Sequence, residues 1–99
     1  MARFSVYPAP EGQGYLLDVQ ADIMRHLNTR VVVPLMPLGN APKPATSLNP
    51  LIVLNDIEHS MVTQFMAAVP TSVLKREIAN VAGRRDEIVN AIDLLLQGS

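Results

Sequence analysis

Prolines interrupt the first part of the sequence and are absent from the rest. The chain has 99 residues and eight prolines, and all eight lie between Pro8 and Pro70. Because proline fixes φ and lacks a backbone N–H, it disfavours both helix interiors and long central strands. The sequence therefore predicts short strands over most of the chain, with a helix only towards its C-terminal end.

The first two predicted strands form a hairpin. Apolar and polar side chains alternate in residues 3–7, the period of two that is typical of a half-buried strand. The glycine-rich residues 11–14 indicate a turn, and residues 15–20 a returning strand. Further strands are predicted at residues 30–35, 51–54, 60–66 and 68–73. Pro34 lies inside the first of these and predicts a bulge or a sheet edge there.

A long loop is predicted over residues 37–50. This stretch holds four prolines together with glycine, asparagine, serine and threonine, a composition that buries almost nothing. Loops of this length are usually functional or mobile.

The residue pattern changes to a helical period near the C-terminus. Ile88, Ile92 and Leu95 are spaced at i, i+4 and i+7, which predicts a helix over residues 84–97. Acidic residues at the start of this segment and Gly98 at its end are typical helix boundaries.

A second short helix over residues 73–81 also fits helical spacing and stays an alternative at this point. With or without it, the pattern predicts an α+β fold. It consists of a single domain over residues 1–99, a mostly antiparallel β domain closed by one C-terminal helix.

The predicted C-terminal helix is apolar on more than one side. Leu94, Leu95 and Leu96 are consecutive and together cover most of one helical turn. A helix of this kind usually packs against two things. We expect one to be the domain's own sheet and the other to be a partner protein or a second copy of the chain.

Composition excludes several classes of function. Eight basic and nine acidic residues give a formal charge of −1, so the clustered positive charge on which direct nucleic-acid binding rests is missing. No apolar run approaches the length needed to span a membrane. The absence of cysteine excludes disulfides and thiolate metal sites. A cytoplasmic protein with a small core is expected, and such a core favours a homodimer.

No catalytic or metal-binding motif can be assembled from the sequence, so no cofactor, metal site or enzymatic activity is predicted. Asp56, Glu58 and His59 are neighbours, but they favour a solvated turn over a ligand set. A second group, Asp22, His26 and Arg30, could supply the base, acid and cation of a small ribonuclease. A polar connection between two strands is the favoured interpretation of that group.

Four segments of the sequence carry a resemblance to a known family. They are Asp-Val-Gln-Ala-Asp-Ile (18–23), Arg-Val-Val-Val-Pro-Leu (30–35), Ala-Ala-Val-Pro-Thr-Ser-Val-Leu (67–74) and Asn-Ala-Ile-Asp-Leu (90–94). Their order and spacing resemble the CcdB toxin family from about residue 4 to residue 98. The resemblance implies a small SH3-like antiparallel β-barrel with one C-terminal α-helix, and it argues against a helix over residues 73–81.

The resemblance also implies a function and partners. Toxins of this family are homodimers that poison DNA gyrase by trapping its A subunit on cleaved DNA. They are neutralised by a CcdA-like antitoxin whose disordered C-terminal segment folds on binding.

The family's gyrase contact concentrates at the end of the C-terminal helix, on a Trp-Gly-Ile terminus. The residues of this chain that the resemblance assigns to gyrase binding are Ile23, Met24, Asp93, Leu96, Gln97, Gly98 and Ser99. Gln97 stands where the family has tryptophan, Asp93 where it has asparagine and Leu96 where it has phenylalanine. Of the three terminal residues, only Gly98 is kept.

Antitoxin binding is expected on the turn of the first hairpin, on the long loop and on the dimer surface, with Glu11, Gly12, Gly14 and Lys43 as the contact residues. Two other functions stay open. One is an endoribonuclease toxin of the MazF/Kid type, which shares the fold and would use Asp22, His26 and Arg30. The other is a non-toxic homologue that keeps only dimer formation and antitoxin binding.

Overall fold

The protein is described by a computed structural model covering residues 2–10 and 12–98. Across these residues the chain forms seven strands and one α-helix. They are β1 (Ser5–Pro8), β2 (Tyr15–Asp18), β3 (Thr29–Pro37), β4 (Leu51–Leu54), β5 (Ile57–Met61), β6 (Ala67–Pro70), β7 (Ala79–Asn80) and α1 (Arg85–Gln97). Short 3₁₀ turns occupy Asp22–Met24, Leu38–Asn40, Thr63–Phe65, Thr71–Val73 and Ala82–Arg84.

All strand pairs are antiparallel, and the sheet order is β4-β5-β3-β2-β1-β7, with β6 also paired to β3. The sheet curls into a half-barrel, with α1 packed against its main core. This arrangement confirms the predicted α+β fold, a small antiparallel barrel with one C-terminal helix. No helix within the described ranges is long and apolar enough to cross a membrane.

Strand β3 is central, although Pro34 predicted a bulge or an edge. On one side Pro34 lies opposite Leu16 of β2. On the other side β6 pairs with residues 29–32 and β5 with residues 35–37. The carbonyl oxygen of Pro34 accepts from the Val62 N–H at 3.0 Å on this second side. The proline nitrogen points the same way, so its missing N–H falls where one neighbouring strand gives way to the next.

The β4–β5 hairpin corrects the predicted strand over residues 60–66. Asn55 and Asp56 have positive φ values of 53° and 63°, which is the type I′ geometry of a two-residue hairpin turn. Strand β5 therefore starts at Ile57 and ends at Met61. Thr63 is buried in the 3₁₀ turn that follows, where its hydroxyl donates to the Leu48 carbonyl oxygen.

Residues 71–81 contain no α-helix, so the alternative helix over 73–81 is wrong and the resemblance predicted this region correctly. The strand predicted over 68–73 is also too long, because β6 ends at Pro70 and a 3₁₀ turn follows. Residues 74–78 then run extended to β7. Leu74 is buried against Tyr7 and Val32, and this packing favours an extended path over a helix.

The core lies on both faces of the sheet. The larger cluster packs between the sheet and α1 and consists of Phe4, Val6, Leu17, Val19, Val33, Leu35, Ile52, Leu54, Met61, Ile88 and Ala91. A smaller cluster on the other face contains Tyr7, Val32 and Leu74. Outside these two layers, exposed large apolar side chains include those of the Asp22–Met24 turn, the β4–β5 hairpin and the end of α1.

Candidate partner-binding surfaces

The last turn of α1 carries exposed apolar side chains. The helix begins one residue later than predicted and ends at Gln97, with Gly98 in the left-handed conformation (φ 75°) and its N–H donating to the Leu94 carbonyl oxygen at 2.9 Å. Because glycine adopts positive φ without strain, it ends the helix as expected.

Burial falls steadily along the apolar stripe of α1. Ile88 and Ala91 are fully buried in the core and Ile92 is half-buried, whereas Leu96 is 67% exposed. Leu96 follows Ile92 by one turn on the same side of the helix. The exposed apolar surface at Leu96 is therefore a continuation of the core stripe on the same side of the helix.

The other predicted gyrase-binding residues are distributed as follows. Asp93, Gln97 and Gly98 are exposed at the end of α1; Ser99 lies outside the described residues. Ile23 (79% exposed) and Met24 lie on the 3₁₀ turn after β2. No hydrogen bond or ion pair between described residues joins this turn to α1, so the two apolar patches are separately supported.

The turn that carries Ile23 and Met24 is held in place by polar contacts at both ends. Asp22 accepts a hydrogen bond from the Arg3 backbone N–H at 2.8 Å. The Gln20 side-chain amide donates to the Met24 carbonyl oxygen at 3.1 Å. These bonds fix the backbone of the turn while both apolar side chains remain in solvent.

The two segments predicted for antitoxin binding meet in the structure. The Asn40 side-chain amide donates to the Gln13 side-chain oxygen at 2.7 Å, which joins the hairpin turn to the long loop. Gly14 is packed tightly, since a Cβ there would lie 2.5 Å from the Leu35 carbonyl oxygen. Gly12 and Lys43 are exposed, and Glu11 lies outside the described residues.

The long loop is anchored from inside, contrary to the prediction that it buries almost nothing. Asn49 is buried, and its side chain makes three hydrogen bonds, with the Ala45 N–H, the Met61 carbonyl oxygen and the Gln64 side chain. An asparagine in a proline-rich stretch indicated only a turn. Its role as an anchor depends on partners that are distant in the sequence.

A buried ion pair, which the sequence analysis missed, lies on the outer face of the sheet. Arg30 is 1% exposed, and its Nη2 lies 2.7 Å from Asp18 Oδ2, to which Nε also donates at 2.8 Å. The Gln20 N–H donates to the other carboxylate oxygen. Burial raises the pKa of Asp18 from its ordinary value, and the hydrogen bond and charge of Arg30 oppose that rise.

The ion pair between Arg30 and Asp18 bears on the ribonuclease group that the sequence suggested. Arg30 points into the protein and is occupied by Asp18, whereas His26 is exposed and Asp22 is bonded to the Arg3 backbone. The structure therefore does not bring Asp22, His26 and Arg30 to one rim. The sequence did contain a signal for this burial. Side chains alternate between the two faces of a strand, so Arg30 lies on the same face as the apolar Val32.

The second histidine is part of the fold. His59 is buried with its ring edge-to-face on Tyr15 at 5.2 Å between centroids, and its Nδ1 lies 2.9 Å from the Ile57 carbonyl oxygen. Asp56 and Glu58 are exposed. Among residues 2–10 and 12–98, no group of three or more histidine, aspartate and glutamate side chains is arranged to hold a metal ion.

The curled sheet and C-terminal helix define a class of small barrel proteins that includes toxins. An endoribonuclease from a mycobacterial species is similar, with 14% identity over 97% of this chain and 90% of that chain and a TM-score of 0.77. An endoribonuclease in complex with its cognate antitoxin, also from a mycobacterial species, has 16% identity over 97% and 94%, and a TM-score of 0.77. The Mycobacterium tuberculosis toxin MazF-mt6 has 17% identity over 90% and 92%, and a TM-score of 0.72.

At these identities the likeness concerns the fold alone. The model of the CcdB protein family matches residues 3–98 of this chain, and the chain belongs to that family. It is therefore a toxin of the toxin–antitoxin class.

Proposed function

We propose that this chain is the toxin of a type II toxin–antitoxin module and poisons DNA gyrase by binding its A subunit. The observation that carries the proposal is the exposed apolar last turn of α1 in a member of the CcdB family. The proposed action is by binding rather than by enzymatic catalysis, and it takes place in the cytoplasm.

The exposed side chains provide the energetic reason for a partner at this end of the helix. Burying a leucine or isoleucine side chain fully contributes roughly 1.5–3 kcal/mol. Leu96 and Ile23, both largely exposed here, would contribute in this way to a complex with gyrase. Ile88 and Ala91 pack α1 against the core, so the fold sets the position of its last turn for such a contact.

Gln97 sets the strength of the proposed contact. The family places tryptophan at this position, and removing a buried aromatic anchor from an interface commonly costs roughly 2 kcal/mol or more. A glutamine cannot fill a pocket shaped for an indole ring. We expect a weaker inhibitor than family members with tryptophan, or one adapted to the gyrase of its own host.

A CcdA-like antitoxin is proposed to bind the surface formed by the hairpin turn and the long loop. The Gln13–Asn40 hydrogen bond makes these segments one surface, and Lys43 offers a positive charge there. Binding measured by calorimetry should weaken for Lys43→Glu; an unchanged affinity would remove Lys43 from the interface.

A homodimer is proposed as the functional form. Val53 (56% exposed) and Ile57 are apolar and exposed on the β4–β5 hairpin at the sheet edge. Their burial by a second copy would add apolar area to a small core. Sedimentation of wild type beside Val53→Asp tests this, and a monomeric wild type would contradict it.

Gyrase inhibition is the decisive experiment for the main proposal. Supercoiling and trapped cleavage complex should be measured with cognate gyrase for wild type, Gln97→Trp and Leu96→Ser. We expect inhibition by wild type, stronger inhibition by Gln97→Trp and weaker inhibition by Leu96→Ser. Leu38→Ser is the matched control, since Leu38 is also an exposed leucine on a different surface. If neither wild type nor Gln97→Trp traps cleaved DNA, the proposal fails.

An endoribonuclease toxin is the second candidate, favoured by the fold shared with mycobacterial endoribonucleases. The burial of Arg30 against Asp18 speaks against it, because the cation of the suggested group is unavailable to a phosphate. Cleavage of total RNA by wild type, lost in His26→Ala, would establish it. A chain that inhibits no gyrase, cleaves no RNA and still binds antitoxin would be a non-toxic homologue.

A further inference from the structure

Met24 is the most exposed methionine among the described residues. The chain has five methionines and no cysteine, so the thioether is the side-chain group that a mild peroxide attacks first. Met24 is 47% exposed, whereas Met61 is fully buried. Met36 and Met66 are half-buried, and Met1 lies outside the described residues. Within this set, a dissolved oxidant has the freest access to the sulfur of Met24.

The backbone around Met24 is held by hydrogen bonds inside its turn. The Met24 N–H donates to the Ala21 carbonyl oxygen at 2.9 Å, and the Met24 carbonyl oxygen accepts from the Leu27 N–H at 3.1 Å. The Gln20 side-chain amide donates to the same carbonyl oxygen at 3.1 Å. Because both backbone polar groups of Met24 are bonded here, moving its side chain into the core would require the turn to open.

Met24 shares an exposed segment with two other large apolar side chains. All residues from Ala21 to Thr29 are exposed, and within this segment Ile23 and Leu27 are 79% and 43% exposed. Exposed apolar patches of this kind mark partner-binding surfaces, and Ile23 and Met24 belong to the surface proposed above to contact gyrase. Met24 is the one apolar side chain of the segment that an oxidant converts into a polar one.

We propose that the Met24 thioether is a site of reversible oxidation by hydrogen peroxide, and that this oxidation weakens gyrase binding. The sulfur lone pair forms a bond to one peroxide oxygen as the O–O bond breaks. The departing hydroxide takes the proton of the transferred oxygen and becomes water, which leaves a sulfoxide on Met24. Sulfur loses two electrons and the peroxide gains them, so no further reactant is needed. The effect on gyrase rests on the function proposed above.

Oxidation changes what this surface can bind without changing the fold. A thioether is apolar and polarisable, whereas a sulfoxide carries a strong hydrogen-bond acceptor. In the free protein the sulfoxide oxygen of the exposed Met24 is hydrated. In a complex that buries Met24 this oxygen gives up its water, which is costly unless the partner supplies a donor. The oxidised toxin is therefore the weaker inhibitor, and enzymatic reduction of the sulfoxide restores it.

Mass spectrometry measures whether Met24 is the preferred site. Purified wild type is treated with graded hydrogen peroxide and digested with trypsin. Cleavage after arginine leaves Met24 as the sole methionine of the peptide 4–25, so its oxidation is measured apart from that of the other methionines. We expect Met24 to react at least about ten-fold faster than the buried Met61, and also faster than the two half-buried methionines. The urea midpoint of the protein should stay unchanged.

Gyrase inhibition measures the consequence. Wild type, Met24→Leu and the matched control Met36→Leu are assayed before and after a dose of peroxide that oxidises the 4–25 peptide of wild type completely. Catalase removes the peroxide before gyrase is added. The concentration that gives half inhibition should rise about ten-fold or more for wild type and Met36→Leu. It should not change for Met24→Leu, because leucine has no sulfur. Methionine sulfoxide reductases of both epimer specificities should restore the oxidised wild type.

Several results would overturn the proposal. They are oxidation of Met24 no faster than that of the half-buried methionines, equal inhibition by oxidised and untreated wild type, and an equal loss in Met24→Leu. A lower urea midpoint after oxidation of Met24 would also do so, because the loss would then come from the fold. If untreated wild type does not inhibit gyrase, the proposed function fails and the control of gyrase binding fails with it. The peptide 4–25 still decides, independently of gyrase, whether Met24 is the preferred oxidation site.

Discussion

Replacing Arg30 with methionine is expected to destabilise the fold far more than an average substitution. Arg30 provides the contacts at 2.7 and 2.8 Å to Asp18 Oδ2, and the pair is fully buried. The Gln20 N–H remains on the other oxygen, so the variant leaves a buried carboxylate with one oxygen unbonded. Removing one partner of a buried pair typically costs roughly 3–5 kcal/mol.

The loss is large against the stability of a domain of this size, which is typically about 5–15 kcal/mol. With a urea dependence of about 1 kcal/mol per molar, the unfolding midpoint should fall by about 3 M or more. Equilibrium unfolding in urea followed by circular dichroism measures it. Folded Arg30→Met with a stability within about 1 kcal/mol of wild type would contradict the reasoning.

The loss should also depend on pH. Burial raises the pKa of Asp18 and Arg30 is the main opposing cause, so in Arg30→Met the raising effect of burial is opposed only by the hydrogen bond from the Gln20 N–H. A carboxyl whose pKa is higher in the folded than in the unfolded protein destabilises the fold increasingly as pH rises from the unfolded value through the folded one. The difference from wild type should therefore be smallest in acid and largest near neutral pH.

A double variant keeps the prediction testable if Arg30→Met does not fold. Asp18→Asn/Arg30→Met removes both charges, and it should recover most of the lost stability because no buried charge is left unpaired. The coupling energy of the double-mutant cycle should exceed about 2 kcal/mol for residues in direct contact. A coupling below about 0.5 kcal/mol would show that the two side chains are energetically independent.

Three further predictions concern the hairpin turn, the loop and the helix start. Gly14→Ala should lower the free energy of unfolding by more than about 2 kcal/mol and Gly12→Ala by about 1 kcal/mol. Both residues have positive φ, but only at Gly14 would the added Cβ lie 2.5 Å from a backbone oxygen. Similar melting temperatures for the two variants would contradict this. Asn49→Ala should cost about 3 kcal/mol for three hydrogen bonds at about 1 each, measured in urea, and a loss below 1 would show that the loop is not anchored there. The hydrogen bond from Arg84 lowers the pKa of Glu87. The small stabilisation that this bond provides is present above the ordinary carboxyl pKa, and it is lost as pH falls through the pKa of Glu87 in the folded protein. The melting temperatures of wild type and Glu87→Gln should therefore converge in acid, and a constant gap would refute this.

Local patterns were sufficient to predict the first hairpin and the C-terminal helix. The alternation in residues 3–7 and the helical spacing of Ile88, Ile92 and Leu95 both depend on near neighbours. Gly98 likewise ends the helix through its own backbone freedom. These features are determined by short stretches of sequence, so the structure moves their boundaries by only one or two residues.

Features that depend on distant partners could not be predicted. Pro34 fits a central strand only because β5 and β6 leave a gap beside it. Leu74 packs against Tyr7 and Val32. This packing favours an extended path for residues 74–78 over the helix that their spacing also fits. Arg30 was assigned a possible role at the surface because its partner Asp18 lies on another strand.

For the candidate site, the sequence predicted where exposed residues lie better than how they are held. The hairpin turn and the long loop were both expected on the surface, but the hydrogen bond between Gln13 and Asn40 that joins them has no sequence signature. A cavity beside Val73 has no sequence signature either, because its walls come from two segments, residues 8–10 and 72–76, that are far apart along the chain.

The loss of burial along α1 separates two kinds of evolutionary constraint within one helix. Substitutions at Ile88 or Ala91 change the core and are limited by stability, whereas Leu96 and Gln97 lie beyond it and can vary at little cost to folding. The residues proposed to select a target can therefore diverge while the domain that carries them stays intact. A lineage of such toxins can follow changes in its target, or lose toxicity altogether, without first having to restabilise its fold.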